Sequence, residues 1–496
     1  MTRARASACL CAAVAAVVSA CTGDARRPDS AAVPSVRIGT FVESRVQWLA
    51  GMLSAEPLVS VGWDGRPVYR LAESVTESKD GTFLTVMLRP DARFHNGERV
   101  TAAVVAELLT KKLGDPDQLS DIRAIEAASE RELTIRLNRP NSFKAVDLFD
   151  YAVEDDSRPQ LRTGPFRVAS LAPRVELESF KEYYQGTPSV DRVEIKFFST
   201  QRSALTAMMR GEVNFLHEVS RESISFIEDG GDIRAYPLLR PFTVPLVFNQ
   251  KHPILGRREV RIALNEAIDR AEVVANGMRG YGQPADGPFW PHHWAYPGAV
   301  HAQAYNPKAA ALRLDAAELP LVPRGDAAMP SRFAFTCLVV AGRDTRFERI
   351  ALVVQRQLFA VGIDMQLRLV SSLGEFRQLI TRGDWDAFIF EVASGRTLRF
   401  PYRFWHSKEA VLPTGYSAAD GALDRMVLAR TDDDVRLAVA DVLRVFRQDP
   451  PAVFLAFPRE ARAAHVSFEI PYEPDRDIFG TFRQLTLAPQ RARRAP

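Results

Sequence analysis

One short phrase occurs twice in this chain, far apart, and limits the folds open to it: an amphipathic helix, a glycine stop, then an apolar strand. The pattern predicts a helix over 200–209 that stops at Gly211 and runs into a strand at Val213–Leu216. It predicts a second over 374–382 that stops at Gly383 and runs into a strand at Asp386–Val392. Glycine supplies the left-handed residue that closes a helix, and the helix-to-strand connection is the unit of an α/β layer. Arg257–Met278 and Phe347–Val361 carry apolar residues at a 3.6-residue period, the second ended by Gly362. Alternation predicts a strand at Ser35–Val42 and a hairpin over Leu58–Tyr69 that turns at Asp64-Gly65. A strand at Phe83–Leu88 and an amphipathic helix at Thr101–Leu113 follow, and the Pro-, Arg- and Ala-rich stretch 315–331 reads as a surface loop. A single core rarely grows to fill 496 residues, so the expectation is two α/β lobes.

The amino-terminal residues point to a compartment. Arg3 and Arg5 precede an apolar run, Ala6–Ala20, that is too short to span a bilayer comfortably and suits the core of a secretory signal. The run ends in Val18-Ser19-Ala20-Cys21, which resembles the bacterial lipobox, so residues 1–20 are expected to be removed and Cys21 to carry acyl chains. A polar tether, 21–35, follows. Cys9 and Cys11 fall in the removed segment, which leaves Cys337, in an apolar strand-like run, as a small core residue. No disulfide framework is available. Lys plus Arg (64) barely exceeds Asp plus Glu (61), and the signs are interspersed without a basic block, so nucleic-acid binding has no support.

Several stretches together resemble the family 5 extracellular solute-binding proteins, the oligopeptide, dipeptide and nickel binders of ABC importers. The most specific runs from Leu71-Ala-Glu-Ser-Val75 through Asp80-Gly81 and Val86–Arg89 to Ala92-Arg-Phe-His-Asn-Gly97 and Val100-Thr-Ala102. Asn96 stands where that family usually has Asp. Thr163-Gly-Pro-Phe166, Glu182–Pro188, Ala204-Leu205 with Gly211–Asn214, Phe248-Asn249, Val260–Arg270, Gly282–Ala285, Trp294–Tyr296 and Tyr305–Pro307 follow in the family's order. The resemblance spans about residues 36–480 and implies a type II, periplasmic-binding-protein-like fold whose two lobes close like a clam shell about hinge strands. Lobe I would take in 36–248 plus 466–496, and lobe II 249–465. It further implies a monomer without cofactor that captures a small solute or oligopeptide outside the cytoplasm. The monomer would be held to the membrane by its lipid anchor and would deliver the solute to ABC permease and ATPase subunits.

Carried across position by position, the residues expected to line the cleft are Phe41, Thr163, Gly164, Phe248, Asn249, Trp290, Trp405 and Tyr416. Peptide binders of the family usually follow the strand at 386–392 with an acidic loop that pairs with the peptide's amino group. Here that loop is Ser394-Gly-Arg-Thr-Leu-Arg399, so Arg396 and Arg399 join the candidate ligand residues, and an anionic or amino-blocked ligand fits better than a free peptide. Solvated rim arginines are the competing reading. A metal-chelate ligand stays open, but His292 and His293, adjacent on a strand, would face opposite ways, and no direct metal site is expected. No nucleophile elbow, zinc-protease helix, P-loop or dinucleotide fingerprint is present, so catalysis is not expected. An envelope sensor or scaffold of the same fold is the remaining alternative.

Overall fold

The computed structural model describes residues 35–487 apart from 114–121, 141–151, 156, 173, 221–222, 225–226, 228–230, 299–302, 324–329, 343–344 and 410. The signal, lipobox and tether at 1–34 lie outside the described residues.

The glycine-stopped helices form where the pattern places them. Gln201–Met209 starts with Thr200, whose side chain accepts from Ser203 N in a capping box, and Gly211 beyond it is left-handed at φ 69°. Leu373–Arg382 ends at Gly383, φ 74°, and Arg346–Ala360 is followed by Gly362, φ 84°. The strands after the two phrases differ from expectation. The first begins at Phe215 rather than Val213, because the Asn214 side chain accepts the backbone N–H of Arg37 at 2.7 Å. The second is split into Ala387–Ile389 and Val392–Ala393, and the interruption carries Glu391. The long helix expected at Arg257–Met278 is also broken. Arg258–Ala267 ends at Ile268, and the Asp269 carboxylate takes the N–H groups of Ala271 and Glu272 and so starts a new turn. Cys337 is fully buried in the strand Phe333–Val340.

Among the described residues, one 13-stranded sheet organises the fold. Its order runs Phe166–Ser170, Val175–Ser179, Arg192–Phe197, Val36–Thr40, Phe215–Val219, Ala452–His465, Phe242–Phe248, Ala387–Ile389, Phe333–Val340, Ile363–Val370. Ala452–His465 is the longest strand, and its two ends keep different company. Residues 452–458 pair with Phe242–Phe248 and Gly282–Pro284, whereas 459–465 pair with Ile233–Leu239 and, from 461, with Phe215–Val219. Packing follows the same division. Apart from Leu239, the two cores on the first side draw on residues between Val244 and Phe457. Those on the other side draw on Val36–Tyr236 and on Ala461–Leu485, so the C-terminal tail returns to the core in which the chain began. The fold is α/β and two-lobed. A separate four-stranded antiparallel sheet (Ala72–Glu77, Phe83–Leu88, Glu132–Leu137, Ile122–Ala127) packs with the helix Ala102–Thr110 around its own core. Among the described residues, no helix is long and apolar enough to cross a membrane.

Glu56 lies between this smaller unit and the main sheet. It is buried, just beyond the helix Glu43–Ser54, and Tyr183 Oη donates to its Oε1 at 2.6 Å. Burial pushes its carboxyl up to about 6, against the Tyr183 hydrogen bond and the Arg70 charge. A carboxyl raised on folding contributes stability that is full below its unfolded value and is lost as pH climbs through the folded one. At roughly 1.36 kcal/mol per pH unit, raising Glu56 from 4.5 to about 6 makes the protein about 2 kcal/mol less stable at pH 7.5 than this group alone would allow at pH 4. Glu56→Gln is therefore expected to stabilise the protein at pH 7.5 and to flatten its loss of stability between pH 4.5 and 7, measured by urea unfolding. An unchanged pH slope would show that Glu56 is not the responsible group.

Candidate functional site between the lobes

The chain crosses between the two sides of the long strand at two adjacent places. Leu239-Arg240-Pro241-Phe242 joins the strand Ile233–Leu239 to the strand Phe242–Phe248, and Phe457-Pro458-Arg459 is the middle of the long strand itself. The two are tied together, since Arg240 N donates to Pro458 O at 2.9 Å. Pro241 and Pro458 have no N–H to donate there, and the partners of the long strand change between Pro458, opposite Gly282, and Arg459, opposite Leu239.

Charged side chains converge on this point from both sides. Arg240 is buried and reaches Glu391 at 2.7 Å and Glu460 at 2.9 Å, and its guanidinium lies over the Phe242 ring, 4.4 Å from the centroid. Arg346 stands 3.7 Å from the same Glu391. On the other side Arg462 pairs with Asp477 at 2.7 Å and also donates to the carbonyl of His217. His217 lies 3.4 Å from Glu218, which Arg45 approaches to 3.6 Å. Trp48, 44% exposed, meets the His217 ring edge-on.

The electrostatics follow from burial and pairing. Desolvation pulls the Arg240 guanidinium down, and Glu460 and Glu391 beside it more than reverse that, so it stays charged. Burial pushes the Glu460 carboxyl up, with Arg240 and Arg462 opposing. Burial would raise Asp477 too, but the charge and hydrogen bond of Arg462 hold it below its ordinary value. Burial pulls His217 below its ordinary value, against the hydrogen bond to Glu218.

The two sides also meet along a second line. Arg66 binds Asp432 through two hydrogen bonds and lies over Trp294, 3.6 Å from its centroid. Arg430 pairs with Glu77 at 2.9 Å, and Trp290 Nε1 donates to Trp63 O at 2.8 Å.

The residues expected to line the cleft are spread over different environments. Phe248, Trp405 and Tyr416 are core residues, each at most 2% exposed, with Trp405 edge-on to Phe446 and Phe454 and Tyr416 Oη bound to Asp449 O. Asn249 is a strand-end clamp, its Nδ2 on Trp385 O at 2.8 Å. Thr163 and Gly164 pack against the end of the helix Glu43–Ser54, where Gly164 N donates to Ser54 O. A Cβ on Gly164 would stand 2.5 Å from Ser54 C, so the glycine serves close backbone packing. Phe41 is half-buried just past the strand Val36–Thr40. Trp290 is buried at the contact between the sides, and Arg399 is buried at the start of the helix Arg399–Trp405. Arg396 feels the charged cluster through Asp477. Sequence reading missed Arg240, Glu391, Glu460 and Arg462. The signal was there: Arg459-Glu460-Ala-Arg462 interrupts an otherwise apolar 14-residue strand.

The His292 and His293 rings do differ in setting. His293 is buried, with Nδ1 accepting from Ala295 N, whereas His292 lies against Trp63 and Trp290. Among the described residues no group of three or more His, Cys, Asp or Glu could hold a metal ion.

Residues 66–410 match the family described as bacterial extracellular solute-binding proteins, family 5, middle region. The chain belongs to this family. Among curated relatives of this family-5 protein, the oligopeptide-binding protein AppA of Bacillus subtilis (strain 168) is 24% identical over 448 residues, 82% of each chain. The solved structure of Bacillus subtilis AppA with a nonapeptide superposes with a TM-score of 0.74 at 20% identity, over 93% of this chain and 100% of that one. NikA from Brucella suis with Fe(III)-EDTA gives a TM-score of 0.78 at 18% identity, over 92% and 100%. These likenesses establish the periplasmic-binding-protein fold.

Removing Arg240 would leave Glu391 and Glu460, both half-buried, with one cation fewer between them. Arg240→Met in this family-5 protein is expected to cost about 3–5 kcal/mol at pH 8. The deficit should be smaller at pH 5, because burial raises Glu460 and makes it easier to protonate as pH falls. Urea unfolding at the two pH values checks this, and an equal deficit at both would refute the pairing.

Proposed function

We propose that this protein captures a peptide-sized or chelate-like solute between its two lobes, closes on it by bending at the paired crossings, and delivers it to an ABC permease and its ATPase. The observation that carries this reading is the position of the Arg240–Glu391–Glu460 triad at the two crossings. There a small backbone rotation changes the separation of the lobes while the charges stay paired. We place the lobe boundary at 240–241 and 458–459, where strand partners and cores both change, so the first lobe holds 36–239 with the tail from 459 and the second holds 242–457. The peptide bound by Bacillus subtilis AppA and the chelate bound by Brucella suis NikA set the size range. The role is binding without catalysis.

Closure must be driven by a solute that prefers the closed form. With residues 22–496 purified, a panel of short peptides and metal chelates should contain at least one compound that raises Tm and lowers the radius of gyration in X-ray scattering. At a hundred times Kd the gain in stability is about 2.7 kcal/mol. A compound that raises Tm without compaction would refute closure, and no response from any compound would count against solute capture.

We further propose that Cys21 is acylated after removal of residues 1–20 and holds the protein on the outer side of the cell membrane. The lipobox-like Val18–Cys21 supports this. In cell fractionation, Cys21→Ser should move the protein from the membrane to the soluble fraction. A variant that stays with the membrane would refute the anchor.

A further inference from the structure

The tip of a hairpin is ordinarily its most exposed part, and in the hairpin of the first lobe that order is reversed. Val59–Val61 and Pro67–Tyr69 pair only with each other among the described residues, and the base of the hairpin, Leu58 and Val59, lies in a first-lobe core. Val68 and Tyr69 on the stem are 40% and 36% exposed, whereas Gly65 at the tip is buried. The turn is tight, with Gly62 N donating to Arg66 O at 2.8 Å and Gly65 N to Gly62 O at 3.1 Å. An isolated two-stranded hairpin is marginal in water, so contacts outside it must hold the tip.

Those contacts come from the second lobe. Two successive carbonyls of the tip are taken there: Trp63 O accepts from Trp290 Nε1 and Asp64 O from Trp294 N, each at 2.8 Å. The Trp63 ring stands edge-on to Trp290, 4.9 Å between centroids, and packs against a second-lobe core. A Cβ at Gly65, φ 81°, would overlap the His293 ring, so glycine lets the turn seat fully. Arg66 closes the contact from the side, lying on Trp294 and donating twice to Asp432. Withdrawing the tip would take the acceptor from the indole N–H of Trp290, a side chain only 2% exposed. The tip joins the lobes through hydrogen bonds and ring contacts rather than through the chain, so opening can break this junction where it cannot break the crossings.

We propose that the hairpin tip Trp63–Arg66 is a latch that holds a share of the molecules closed before any solute arrives. The inference rests on the clam-shell reading above. Latching leaves the solute a smaller change to drive, and on release the tip must leave its socket before the lobes part. The exposed Arg66–Asp432 pair alone would hold little, but it acts together with a buried ring and two directed hydrogen bonds.

Two first-lobe variants of residues 22–496 test this without added solute. Trp63→Ala takes the ring out of the socket, and Arg66→Asp sets like charges against Asp432. Both should raise the radius of gyration in X-ray scattering above that of wild type. Both should also speed hydrogen exchange of the amides in 290–296, which lie in the other lobe. Adding Asp432→Arg to Arg66→Asp should return both readings toward wild type, a rescue that a merely misfolded hairpin would not show. Val68→Ala, on the exposed stem, should change neither. An unchanged radius of gyration in Trp63→Ala and Arg66→Asp would overturn the latch even if exchange in 290–296 quickens, as would failure of the charge swap to restore the wild-type readings. If the variants match wild type yet a peptide or chelate from the panel compacts all three, the latch fails and solute capture stands. If the variants are larger than wild type but no compound compacts any of them, the latch stands and solute capture fails.

Discussion

The architecture depends on one strand that belongs to both lobes. Ala452–His465 is hydrogen-bonded to one set of strands up to Pro458 and to another from Arg459 onward. Every other strand of the large sheet lies on one side or the other. The neighbouring link at Arg240-Pro241 runs beside it, so the lobes are joined by two short pieces of backbone lying side by side. Two such connections side by side permit bending across their common line while resisting twist, and the proline in each leaves one N–H fewer to hold the joint.

Placing a charge cluster at such a joint has a cost. Desolvating guanidinium and carboxylate groups is expensive, and apolar side chains of similar size would often stabilise a static fold more. The pairing pattern suggests what the charges provide instead. Arg240 spans Glu391, from one lobe, and Glu460, from the long strand, so the pair constrains how the lobes sit without filling the space between them. The contacts along the second line, Arg66–Asp432 and Arg430–Glu77, are more exposed, and are weak enough to break and re-form. A buried pairing at the joint and solvated pairings along the second line suit a molecule that must open.

Much of this was readable from residues alone where the cause is local. The glycine stops at 211, 362 and 383 are left-handed because a helix end needs a residue without a Cβ clash. Thr431 caps Asp432–Gln448 with Asp434 completing the box. The helix break at Ile268-Asp269 was missed, since the apolar period runs on through it, and only the Asp269 side chain, bonding to its own backbone, decides the break. The candidate site was read less well. Phe248 at the end of a strand, Trp405 at the end of a helix and Tyr416 in a loop match the family in sequence, and all three pack into cores. Sequence shows that a residue is large and apolar without showing which of two apolar environments receives it.

The sequence by itself determined the α/β class, the family, the glycine-closed helices and the arginine-bearing loop in place of an acidic one. Each is fixed by residues within a few positions of one another or by a motif in order. Tertiary structure alone decided which charges meet. Arg240 and Glu391 are 151 residues apart, and Arg462 and Asp477 meet only because the C-terminal tail folds back onto the first core. Pairing depends on distances in space that no local pattern encodes.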